Sequence, residues 1–155
     1  MTRKVLLDAN LLIAVFDPQS RTEEIRKQES ENQLLGLLQD SETALVITPL
    51  IRYEVLRGIP WKDGVIYQQV NAALDAFTEL DVDQATAELA ANLFRFDRQT
   101  TNPDKNLDKR KFDAFHLATA KCHQLELASL DSDIAKLETL YAEYMQHIQP
   151  EQPAR

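Results

Sequence analysis

Val5-Leu-Leu7 and Ala44-Leu-Val-Ile47 are aliphatic runs too short to make helices, and each gives way at once to a pattern with helical spacing. That constraint predicts a strand over Lys4 to Leu7 leading into a helix that carries Leu11, Leu12 and Val15. It also predicts a strand over Ala44 to Thr48 leading into Pro49. Thr48 is placed to cap the second helix, with Pro49 at its first position and Gly58 to stop it, so Glu54 falls in that helix's second turn. An amphipathic helix is predicted from about Arg21 to Leu38 and another from about Val65 to Phe77. A short strand, FTELDV, and an alanine-rich helix capped by Asp83 and running through Phe96 come next. The polar stretch from Arg98 to Lys111 breaks the periodicity and predicts an exposed loop. A helix resumes at Phe112, followed by the strand LELASL, the acidic turn Asp131 to Asp133, a helix over about Ile134 to Tyr144 and a closing strand, MQHI. The tail EQPAR is expected to fray.

Strands alternating with helices imply an α/β fold with a mainly parallel sheet covered on both faces, whose ligand site lies beyond the carboxyl ends of the strands. A length of 155 residues with 44% hydrophobic content is about one domain's worth, so a single domain over residues 1–149 is expected, with 150–155 as a flexible tail. No stretch approaches the roughly 20 apolar residues of a membrane span, and MTRK lacks the apolar region of a signal peptide, which points to a cytoplasmic protein without a membrane partner. The single cysteine, Cys122, reads as a small core residue, and three scattered histidines make a zinc cage unlike this chain. A net charge of −8 argues against holding nucleic acid by a broad basic surface, yet it is compatible with a nuclease whose site is built from carboxylates.

The acids form a pattern of their own. Asp8 ends the first strand inside VLLDANLLI, Glu54 lies on the helix after the second, Asp113 is expected in the first turn of a late helix, and Asp131 follows the strand after that. Each has a local alternative: a cap for Asp8 or Asp131, a pair with Arg57 for Glu54, a favourable helix dipole for Asp113. As a set they converge on one rim of a parallel sheet, where several carboxylates stay ionised only beside a cation. Oxygen donors without soft ligands suit Mg2+ or Mn2+, and such an ion supports hydrolysis of a phosphodiester.

The segments LLDANLLI, ITPLIRYEVLRG, KFDAFHLATA and SLDSDI resemble, in order and over nearly the whole chain, the four signature segments of the PIN domain family, above all its VapC-type toxins. The resemblance implies a three-layer α/β/α sandwich with a central parallel sheet. It also implies a Mg2+- or Mn2+-dependent endoribonuclease, an RNA substrate, a VapB-like antitoxin as partner and a homodimer. Asp8, Glu54 and Asp113 match the family's central acids, and Asp131 its more variable fourth. Asn10 matches the polar residue two beyond the first acid, Ser129 the hydroxyl residue before the last, and Asp133 is an accessory that caps the final helix equally well.

Lys105, Lys109, Arg110 and Lys111 are the densest basic cluster, either a solvated loop or a phosphate-binding patch near Asp113. His116 reads as a buried or supporting group rather than a general base. Trp61, with Tyr67 and Phe77, reads as core or interface packing rather than a base-stacking platform. Two rivals compete with the nuclease. A receiver-type signalling domain needs paired acids near the first strand and a lysine after a late one, which this chain lacks. A PIN-like protein that binds RNA or an antitoxin without cutting leaves the retention of four acids unexplained. A phosphatase of the Asp-x-Asp type fails because residue 10 is Asn.

Overall fold

The computed structural model describes residues 2–16, 24–100, 107–129 and 133–148. The chain divides into two compact units, one of residues 1–82 and 124–131, the other of residues 83–123 and 132–155.

The first unit is built on a four-stranded, wholly parallel sheet formed by β1 (Arg3–Leu7), β2 (Thr43–Ile47), β3 (Thr78–Glu79) and β4 (Glu126–Ala128). Their order across the sheet is β3-β2-β1-β4, so the first strand is central. Val5, Leu6 and Leu7 are buried at consecutive positions. Successive side chains of a strand point to opposite faces, so both faces of β1 are covered and an unbroken aliphatic run is what that requires. Among the described residues, four helices complete the unit: α1 (Ala9–Val15), α2 (Glu24–Gln39), α3 (Pro49–Arg57) and α4 (Gly64–Leu74). Helix α1 packs against α2 and α3, and α3 against α4.

Thr48 caps α3, its hydroxyl accepting the Ile51 N–H at 3.2 Å, and Pro49 follows at the first helical position. Ile51 and Val55 form the buried stripe of α3. Arg52, on another face, ties the helix to its neighbours. Its Nε donates to Glu79 at 2.8 Å, Nη2 to Asp75 at 2.9 Å, and Nη1 to the backbone carbonyl and the side-chain oxygen of Asn71 at 3.1 and 2.5 Å. One guanidinium thus joins α3, the end of α4 and β3.

The described residues of the second unit form α5 (Gln84–Thr100), α6 (Leu107–Cys122) and α7 (Asp133–Ile148). Asp83 caps α5 as its sequence predicts, accepting the Thr86 N–H at 2.9 Å. Ala90, Leu93, Ala114, Leu117 and Ala118 form the core, with Leu137, Tyr141 and Tyr144 of α7 packed on it. Small residues on α5 and α6 allow the two helices to approach closely.

The structure corrects several expectations. MQHI is the last turn of α7, not a strand. The polar stretch from Arg98 is no continuous loop, because α5 runs to Thr100 and α6 begins at Leu107. Asp113 therefore lies near the end of the second turn of α6 rather than in the first. Cys122 is exposed at the end of that helix. Trp61 is fully exposed, and Tyr67 is 41% exposed, so neither is core. Arg21 and the tail EQPAR lie outside the described residues.

Candidate metal centre

Asp8 is the first residue beyond β1. Its backbone continues the sheet for one more bond, donating to the Ala128 carbonyl at 2.9 Å, and its own carbonyl accepts the Leu11 and Leu12 N–H groups at 3.1 and 3.4 Å. The main chain is thus held on both sides of the strand-to-helix turn. The side chain is only 7% exposed and makes no capping hydrogen bond to α1. Capping, the local alternative for this acid, is not what buries it.

The register sets Asp8's neighbours. Leu7 pairs with Ala128, so Ser129 stands beside Asp8 past the end of β4. Leu6 pairs with Val46, so two steps on Thr48 stands beside it past the end of β2. Asn10 follows in the first turn of α1, half-buried. Glu54 is half-buried on α3, flanking the stripe of Ile51 and Val55. The first unit therefore gathers Asp8, Asn10, Ser129 and the helix carrying Glu54 at the carboxyl end of its sheet, where a parallel α/β sheet places its ligands.

Asp113, half-buried, and His116, 2% exposed, belong to α6 in the second unit. The burial of His116 agrees with its assignment as a core or supporting group. Asp131 and Lys105 lie outside the described residues, as do the side chains of Asp133, Lys109 and Arg110; Lys111 is exposed. Among the described residues, no three His, Cys, Asp or Glu side chains are grouped closely enough to cage a metal ion. The donors available around Asp8 are carboxylate, amide and hydroxyl oxygens, the set that fits a hard divalent cation.

The acid that sequence reasoning passed over is Asp97, only 5% exposed on α5. The signal was present: Thr86, Ala90, Leu93 and Asp97 recur at helical spacing on the buried stripe, so an acid occupies a position where the period asks for an apolar residue.

A family model of the PIN domain matches residues 5–140. The chain belongs to the PIN domain family. No curated protein matches the sequence. Among solved structures, this PIN domain is similar to a toxin–antitoxin complex from Klebsiella pneumoniae, at 27% identity over 83% of this chain and 87% of the other, with a TM-score of 0.55. It shares its fold with VapBC2 of Rickettsia felis, solved bound to a promoter DNA fragment (12% identity, 86% and 92% covered, TM-score 0.63). It shares it also with VapC20 of Mycobacterium tuberculosis, a toxin that cleaves the sarcin–ricin loop (11% identity, 85% and 93% covered, TM-score 0.60). The parallel sheet and the family together make this a PIN-like α/β/α fold. No helix among the described residues is long and apolar enough to cross a membrane.

Proposed function

We propose that this PIN domain is a Mg2+- or Mn2+-dependent endoribonuclease, the toxin of a toxin–antitoxin pair, drawing its catalytic acids from Asp8, Glu54, Asp113 and Asp131. The observation that carries the proposal is the burial of the Asp8 carboxylate at the carboxyl end of the central strand without a role in capping α1. Carboxylate, amide and hydroxyl oxygens brought together at that end of the sheet are the donor set of a hard divalent cation. Membership of the PIN family and likeness to a toxin–antitoxin complex support the same reading.

Asp8, with Asn10 and Ser129 beside it, would hold a divalent ion, and such an ion would supply positive charge and a more acidic water for phosphodiester hydrolysis. The residues of the chain do the rest. Asp8 holds its charge at a fixed point, because the bond to Ala128 and the first turn of α1 lock its main chain. Glu54 adds a second charge from a helix whose start is capped by Thr48 and whose roll is fixed by Arg52. Asn10 and Ser129 offer an amide and a hydroxyl that orient water or a phosphate oxygen. A VapB-like antitoxin and a second copy of the chain are the protein partners of this reading.

The test is cleavage of a mixed cellular RNA pool by the purified protein with Mg2+ or Mn2+, beside EDTA and Asp8→Asn controls. Cutting that both controls abolish supports the proposal, and the cleaved RNA names the substrate. Cutting that survives Asp8→Asn, or no cutting in either metal, refutes it.

A further inference from the structure

Beyond α3 the chain makes a hydrogen-bonded turn, the Pro60 carbonyl accepting the Asp63 N–H at 2.9 Å, with Trp61 and Lys62 at its two central positions. Trp61 is fully exposed, Tyr53 is 53% exposed, and Arg57 and Lys62 are exposed. Tyr53 and Arg57 stand one helical turn apart on α3, and the Arg57 guanidinium lies 5.5 Å from the centre of the Tyr53 ring. All four residues belong to the first unit. We infer that Tyr53, Arg57, Trp61 and Lys62 form a binding surface for single-stranded RNA, with the two rings stacking on bases and the two cations meeting phosphates. This inference rests on the ribonuclease reading and gives that site its substrate path.

Exposing an entire indole to water is unfavourable, and large exposed apolar groups mark binding surfaces. The turn fixes the backbone that carries the ring. Base-on-aromatic stacking tolerates any sequence because every base offers a π-face, and it requires an unpaired strand whose bases can turn outward. Arg57 and Lys62 supply phosphate contacts in a chain whose overall charge of −8 would otherwise repel RNA. Glu54 lies one turn before Arg57 on the same helix, so an RNA whose phosphate meets Arg57 passes close to one of the proposed catalytic acids.

Trp61 is the only tryptophan in the sequence, so the intrinsic indole fluorescence reports this surface alone. The experiment titrates the wild-type protein, in EDTA to prevent cleavage, with a single-stranded ten-nucleotide RNA of mixed sequence and with a duplex of the same sequence. Binding is measured in parallel for Trp61→Ala and Tyr53→Ala through a fluorescent label on the RNA. The expected result is saturable quenching by the single strand, weaker quenching by the duplex, and affinity reduced about tenfold by Trp61→Ala, the scale of one lost base stack. An unquenched indole with unchanged affinity in both variants overturns the inference. So does an emission shift that depends on protein concentration without RNA, which would assign the surface to a second copy. Either outcome can coexist with metal-dependent cutting that needs Asp8, so failure here is distinguishable from failure of the ribonuclease reading.

Discussion

Replacing Arg52 by methionine keeps an unbranched side chain on α3 and removes every bond of the guanidinium. The side chain is 21% exposed, and its partners differ in weight: Glu79 is 35% exposed and Asp75 72%. An ion pair with so exposed an aspartate contributes little, so Asp75 is counted as about zero. The bond to Glu79 and the pair to Asn71 are worth roughly 1 kcal/mol each once exchange with water is allowed for, giving a loss of about 2–3 kcal/mol. For a chain of this size that corresponds to a fall in Tm of roughly 5–10 °C. Thermal unfolding followed by circular dichroism at neutral pH reads it directly. Glu79→Gln should lower Tm by part of that amount, and Asp75→Asn should leave it almost unmoved. A Tm for Arg52→Met within about 2 °C of wild type, or Asp75→Asn as damaging as Arg52→Met, would refute the claim that this guanidinium anchors α3.

Thr48→Ala removes the acceptor of the Ile51 N–H and should cost about 1 kcal/mol, visible as a Tm lower by roughly 2–4 °C, whereas Thr48→Ser should retain most of the stability. Three carboxyls are held below the usual range: Asp40 by the Thr43 hydroxyl and the Glu42 N–H, Asp83 by the Thr86 N–H, and Glu126 by its hydrogen bond and ion pair with Arg3. A depressed carboxyl pKa adds stability above the unfolded-state value and loses it as pH falls through the native one, so Tm should be level from pH 7 to about 5 and drop below about pH 4. A Tm that rises on acidification would contradict the sign.

Much of the first unit was legible because its signals are local. VLL and LVI lie in central strands and carry the aliphatic runs that covered strands require, while Thr48-Pro49 and Gly58 bound α3 within the sequence itself. Asp83 was legible for the same reason, as a cap read three residues ahead of its donor. The errors fall where polarity or length misleads. Arg98, Gln99 and the lysines before Phe112 are good helix formers with no apolar stripe to betray them, so the ends of α5 and α6 resembled a loop. MQHI alternates over only four residues, too few to separate a period of two from one of 3.6, and α7 absorbs it. Trp61 misled differently: a tryptophan is commonly buried, but a two-residue turn tip has no buried face to offer it. Of the site, Asp8 announced itself as an acid in an aliphatic run, whereas Asp97 hid in a helix whose period was read only as alanine-rich.

The central claim is that the Asp8 carboxylate is buried in order to hold a divalent cation. The measurement that tests it most directly is the Tm of wild type and Asp8→Asn with and without Mn2+. An ion present at about 100 times its Kd stabilises the native state by roughly 2.7 kcal/mol, so the account predicts a rise of about 5–10 °C for wild type. For Asp8→Asn it predicts no response to Mn2+, because an amide is a far weaker donor to a hard cation than a carboxylate. A wild-type Tm indifferent to Mn2+ at millimolar concentration, or an Asp8→Asn protein stabilised as strongly as wild type, would contradict it.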